Sequence, residues 1–210
     1  TMTGTAAPAE YQTALRSVIF KSRGAAVGTR TINFSLGNKL ANGGHNYEYV
    51  NNGGAISWTA AEAGAELRTY YGQQGYLATI TSQTENDFLT DKLGADAWIG
   101  ASDAAEEGAW KWATGPEAGD VISTGTAPGT VTPANGAFNN WNSGEPNNAG
   151  NEHYAEIYCS DDNPGKWNDL ANGGSVTGYL VQYDSVTGAS DTKDVSIVAQ
   201  SSGSSHGSNT

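Results

Sequence analysis

The chain has 210 residues, a length that suits one medium domain or one domain plus a fragment and buries about 70% of its unfolded surface. Ten Lys and Arg against 22 Asp and Glu give a net charge of −12 without a cationic cluster, which excludes nucleic acid and anionic membrane as expected partners. The single cysteine, Cys159, excludes an intrachain disulfide, and the lack of any run of 18 apolar residues excludes a membrane-inserted helix.

Hydrophobic residues make up only 37%, yet six Trp and ten Tyr supply large apolar area, and 28 Gly predict many tight turns. The opening Thr1-Met2-Thr3-Gly4 lacks the charged and apolar regions of a secretory leader, so a piece of something longer is expected. Residues 1–40 read as two strands. Leu15, Val18 and Phe20 lie in the first; Thr29 to Leu36 alternates polar and apolar in the second. Two strands are not stable alone and must pack on other chain. The stretch loosely resembles the end of a cadherin-like or immunoglobulin-like repeat of large bacterial adhesins.

Residues 41–185 read as the main domain. His45 to Val50 predicts a strand, and Trp58 to Tyr71 a helix, with Thr59 and Glu62 as its capping box. Leu77-Ala78-Thr79-Ile80 predicts a short strand. Ser82-Gln83-Thr84-Glu85 is a second capping box, opening a helix near Asn86 to Leu89. Short apolar runs follow: Trp98-Ile99-Gly100, Trp110-Lys111-Trp112, Ala155 to Tyr158 and Tyr179 to Tyr183. Helices first and strands later predict an α+β domain. The segment Gly119 to Gly136, rich in Gly, Thr, Ala and Pro, predicts a surface loop. Residues 186–210 hold a strand-like patch, Asp194 to Val198, and then a Ser/Gly-rich tail.

The chemistry concentrates in Trp141-Asn142-Ser143-Gly144-Glu145-Pro146-Asn147-Asn148-Ala149-Gly150-Asn151-Glu152 and, further on, Lys166-Trp167-Asn168-Asp169. Calcium takes six to eight oxygen ligands at about 2.3–2.6 Å from carboxylates, amide carbonyls and water. Glu145, Asn147, Glu152, Asn168 and Asp169 supply such oxygens, and no thiolate or ring nitrogen stands among them to favour zinc or copper. A cis Glu145–Pro146 bond would turn the Glu145 and Asn147 carbonyl groups toward one point.

Glu-Pro-Asn at 145–147, Trp-Asn-Asp at 167–169, Trp-Ile-Gly at 98–100 and the two-helix opening with Leu77-Ala78-Thr79-Ile80 resemble the C-type lectin domain, from about Asn46 to Tyr183. The resemblance implies two helices, two small antiparallel sheets, a long calcium-binding loop and, here, a short β appendage. It also implies that Glu145, Asn147, Glu152, Asn168 and Asp169 hold one Ca2+ and bind a mannose-, glucose- or fucose-type sugar. It implies an extracellular or cell-surface module of a multidomain, RTX-type adhesin that attaches to cell-surface glycans. Three departures from the family pattern stand out. Tyr154 and Asn172 occupy positions where the family has disulfides. Asn148 and His153 stand where a second calcium, beside Asp103 and Glu107, would need carboxylates, so that site is expected to be weak or absent. The third is the length of the insert.

Other readings sit beside these. The tryptophans are expected in the core, His153 facing solvent, Asp161 to Gly165 in a turn, and Cys159 buried within a strand. Glu145 and Glu152 offer the alternative of a glycosidase pair, which needs carboxyls about 5–10 Å apart with split pKa values. Bound calcium keeps both ionised and leaves no general acid, so no enzyme is expected. The alternatives are a protein- or ice-binding use of the same fold, or a structural spacer.

Overall fold

The computed structural model describes residues 28–33, 39–42, 44–125, 130–159, 163–184 and 192–197. The expected strand at 15–20 lies outside them. The chain forms two compact units, residues 1–32 with 192–210, and residues 33–191.

The described chain begins with β1 (Gly28–Asn33), whose partner comes last in the sequence. Strands β2 (Lys39–Asn42) and β3 (His45–Asn51) form a hairpin in which Asn42 faces His45. Helix α1 (Trp58–Glu66) starts at Ser57, whose hydroxyl accepts the Ala60 N–H, so the cap lies two residues before the expected Thr59. It turns Trp58, Ala61 and Ala65 inward, an i, i+3, i+7 stripe that is fully apolar. The helix ends five residues short of the expected Tyr71. Thr69 and Tyr70 leave as β4 (Thr69–Tyr70) to pair with β5 (Gln73–Gln74), through a turn with Tyr71 at φ 47° and Gly72 at φ 83°.

The expected strand at 77–80 is displaced to β6 (Tyr76–Leu77), and Ala78, Thr79 and Ile80 run on buried. Helix α2 (Gln83–Thr90) has the predicted cap, with the Ser82 hydroxyl accepting the Glu85 N–H at 3.2 Å. The Glu85 carboxylate takes the Thr81 N–H and the Tyr47 hydroxyl, and so ties the helix start to β3.

The strands after the helices are β7 (Ala97–Ser102), β8 (Ala109–Trp112), β9 (Val121–Thr124), β10 (Thr132–Pro133), β11 (Tyr154–Ile157), β12 (Trp167–Leu170), β13 (Gly178–Tyr183) and β14 (Thr192–Ile197). β14 pairs with β1. The others join in the order β10-β9-β8-β7-β13-β3-β2, with β6 on β13, and with β11 between β7 and β12. Within this network the pairings are antiparallel, apart from β13 with β7. The fold is thus the α+β arrangement expected, with two helices and mixed sheets, of which the largest joins ten strands and includes one parallel pair. The segment at 119–136 is not simply a loop. It contributes β9 and β10; Ile122 enters the core, and the Trp141 indole N–H donates to Ser123 Oγ. Residues 126–129 lie outside the described chain.

Trp98, Trp110, Trp112 and Trp167 are all buried, as expected. Trp110 meets Trp141 edge-on at 4.6 Å, and Trp141 and Trp112 each meet Trp167 at 5.8 Å. Such ring pairs contribute about 0.5–1.5 kcal/mol each beyond their burial. Where disulfides were expected to be missing, Tyr154 stacks on Trp58 at 4.8 Å. Asn172 accepts the Thr59 N–H on its side chain and the Trp58 N–H on its backbone. Cys159 lies just beyond β11, half-buried, with its thiol toward the Leu93 carbonyl, and not within a strand.

The tightest backbone approach in this core is at Gly100 in β7. A Cβ there would stand 2.2 Å from Thr114 Oγ1 and 2.7 Å from the Leu77 carbonyl. We expect Gly100→Ala to destabilise the domain by about 2 kcal/mol or more, read as a lowered urea midpoint. An unchanged midpoint would show that β7 and β6 are less closely packed than described.

Candidate functional site

The long segment between β10 and β11 is anchored at both ends before it reaches its functional residues. At its start Trp141 bridges to Trp167, with Trp167 N–H donating to Asn140 O and Asn142 N–H to Trp167 O. At its end the His153 N–H donates to Leu170 O, and the Ser102 hydroxyl to His153 O. Between these anchors Glu145–Pro146 is cis, and Asn148 and Asn151 sit at φ 50° and 76°. Asparagine tolerates that left-handed region better than most residues.

The loop is organised around Asp169. This side chain is 1% exposed, and its two oxygens accept the N–H groups of Asn147 at 2.9 Å and Asn148 at 2.8 Å. The Asn147 amide donates to Glu145 Oε2. Ala149 N–H lies 2.7 Å from Asn147 Oδ1 and 2.9 Å from Glu152 Oε2, so one donor draws both acceptors together. The structure therefore gathers Glu145, Asn147 and Glu152 of this loop around Asp169 of β12. Asn168 directs its amide N–H2 to Glu156 Oε1 at 3.0 Å, across the β11–β12 pair.

Burial and, next, the Asp169 charge push the Glu145 carboxyl up to about 7, against the pull of the Asn147 amide. Burial and Asp169 also raise Glu152, while the Ala149 N–H opposes. Among the described residues no Lys, Arg or His pairs with any of these three carboxylates. Crowded anionic oxygens beside amide oxygens, with no internal cation, fit a hard divalent ion. The donor set is all oxygen and matches calcium better than zinc.

Three roles were not foreseen from the sequence. The sequence marks Asn148 only as a missing carboxylate. Its amide instead donates to Glu107 Oε1 at 2.8 Å, and its Oδ1 accepts the Glu152 N–H at 2.8 Å. His153 is half-buried and turned to the two carboxylates, not simply solvent-facing. Its Nδ1 sits 2.9 Å from Asp103 Oδ1 and 3.4 Å from Glu107 Oε2. Glu156 had no assigned part, and only its strand register opposite Asn168 could have revealed it. Trp141, Trp110 and Trp167 lie in the core and offer no open ring face to a ligand.

The Lectin C-type domain model matches residues 57–175, more than half of the chain. Halomucin of Haloquadratum walsbyi is 39% identical over 199 residues, which cover 90% of this chain and 2% of that protein. C-type lectin domain family 4 member M of Gorilla gorilla gorilla is 36% identical over 97 residues, covering 44% of this chain and 20% of that protein. The chain thus spans only a small part of either relative. Among solved structures, the cow CD23 carbohydrate-recognition domain, determined in the presence of a GlcNAc2Man3 oligosaccharide, superposes with a TM-score of 0.53 at 26% identity. That match covers 74% of this chain and 99% of that one. A calcium-independent type II antifreeze protein shares the fold at a TM-score of 0.53 and 21% identity, covering 74% of this chain and 98% of that one. C-type lectin domains are generally non-enzymatic carbohydrate-binding modules, typically bind calcium and are usually extracellular. On the extent of the family match, this chain belongs to the C-type lectin domain family.

Proposed function

We propose that this chain is a calcium-dependent sugar-binding module of a larger surface adhesin. The observation that carries the reading is the convergence of Glu145, Asn147 and Glu152 of one loop on Asp169 of β12, which holds that loop. In this reading these four residues and Asn168 hold one Ca2+. With its N–H2 given to Glu156, Asn168 keeps its amide oxygen for the ion. When bound, calcium supplies coordination positions that two vicinal sugar hydroxyls take in place of water.

The chain's own groups complete the contact. A carboxylate of Glu145 or Glu152 accepts each hydroxyl hydrogen, and the Asn147 amide donates to one hydroxyl oxygen, so that hydroxyl uses its full capacity. The Asn147 amide bonds Glu145 in the described state and exchanges part of that bond for the sugar. Mannose-, glucose- and fucose-type sugars carry the vicinal diol this geometry takes. The contact is shallow, so single-site affinity is weak and attachment to cell-surface glycans depends on many copies. Correspondence to only 2% of a halomucin supports a place in a long, multidomain surface protein, with residues 1–40 contributed by a neighbouring repeat.

Two outcomes test this reading. Calcium at about 100 times its Kd stabilises a folded binder by about 2.7 kcal/mol, which for a chain of this size raises Tm by about 5–10 °C. A melting curve unmoved by either calcium or chelator contradicts an ion at this loop. Asn147→Asp removes the amide donor; retention on immobilised mannose or fucose should fall about tenfold or more while the fold persists. Unchanged retention would remove Asn147 from the sugar site.

A further inference from the structure

Beside the calcium loop, and sharing no side chain with it, Asp103, Glu107 and His153 form a separate cluster. One ligand atom from each lies within 4.8 Å of the others. We propose that this cluster is a binding site for a first-row transition metal, with Zn2+ as its natural occupant, and not a second calcium site.

The spacing supports the assignment. Ligands on a zinc tetrahedron with bonds of about 2.0–2.1 Å stand about 3.3 Å apart. His153 Nδ1 is already 2.9 Å from Asp103 Oδ1 and 3.4 Å from Glu107 Oε2, so small adjustments close the site. The hydrogen bonds around the cluster select which atoms remain. Asp103 Oδ2 accepts the Gly108 N–H at 2.8 Å, and Glu107 Oε1 accepts the Asn148 amide at 2.8 Å. Each carboxylate therefore keeps one oxygen for a metal, and its second oxygen is committed to a donor that fixes its orientation. Two monodentate carboxylates and one imidazole make a three-ligand set suited to zinc, leaving a fourth position for water. Calcium, which needs six to eight oxygens and gains from bidentate carboxylates, finds neither here.

Burial and access also fit. Asp103 is 2% exposed, whereas the Glu107 side chain is 44% exposed, so the site has a buried floor and an open rim. Two carboxylates and a neutral imidazole leave a divalent ion's charge balanced. On binding, Nδ1 exchanges its contact with Asp103 for the metal, and the imidazole coordinates as the tautomer protonated at Nε2.

The experiment titrates the folded chain, held in saturating calcium, with Zn2+ by calorimetry, and with Co2+ followed by visible absorption. One Zn2+ per chain is expected, bound without displacing calcium. The cobalt-loaded protein should show the intense bands of a tetrahedral nitrogen–oxygen site. His153→Gln keeps a hydrogen-bonding group beside Asp103 but offers no ring nitrogen. It should weaken Zn2+ at least tenfold, remove the cobalt bands and leave calcium binding and Tm in calcium unchanged. Asp103→Asn should weaken Zn2+ to a similar degree. Absence of Zn2+ binding to the wild-type chain overturns the proposal. So does equal affinity in His153→Gln, which would place the metal on another histidine, and so does competition between Zn2+ and calcium for the calcium loop. Because calcium binding is read separately in each variant, failure of the calcium reading and failure of this one are distinguishable.

Discussion

The carboxylate of Asp169 is the point on which the rest of the binding face depends. It is buried, it follows Trp167 by two residues on a strand fixed by edge-to-face indoles, and it receives two consecutive backbone N–H groups from a loop without regular structure. Those two bonds are charge-assisted and are stronger than neutral ones by about twofold. They set the path of Asn147 and Asn148, and that path puts Glu145 and Glu152 close to each other and to Asp169. Burial and, next, the like charge of Asp169 oppose ionisation of Glu145 and push its carboxyl up. Among the described residues no Lys, Arg or His pairs with this cluster, which supports the ion proposed for it.

The frame beneath the loop substitutes packing for covalent staples. Tyr154 against Trp58 and Asn172 against the start of α1 link the loop-bearing strands to the first helix. The Asn148 amide, reaching from Glu107 to the Glu152 backbone, joins the two acidic clusters, so the loop is braced from the side as well as from below. The fold alone does not decide the ligand, since a calcium-independent antifreeze protein shares it. What separates the readings is the side chains at the loop.

Much of this was legible from the residues. Apolar runs separated by Gly, Pro and Asn located β7, β8, β11 and β13 to within about a residue or two, because burial on both faces of β7, β11 and β13, and on alternate residues of β8, leaves few other patterns. The Ser82 cap was legible because a hydroxyl followed by Glu three residues on has one common geometry. The start and end of α1 were not. Ser57 and Thr59 are equally good caps by composition, and the early stop comes from a hairpin of Thr69, Tyr70, Gln73 and Gln74 too short to leave a pattern. Strands in the insert were hidden for a similar reason: Val121 to Thr124 draws its burial from Trp141, which is distant in sequence. At the site, the choice of Glu145, Asn147, Glu152, Asn168 and Asp169 came from residue type and motif. The bracing roles of Asn148, His153 and Glu156 depend on contacts across the fold that no local pattern encodes.

The most direct measurement of the central claim is a glycan array probed with the multimerised chain in calcium and again in chelator. Binding to glycans that end in mannose-, glucose- or fucose-type residues, abolished by chelator and restored by calcium, is the predicted result. A silent array from a chain that still binds calcium by calorimetry would contradict the sugar-binding account and transfer the loop to a protein-binding, ice-binding or structural role.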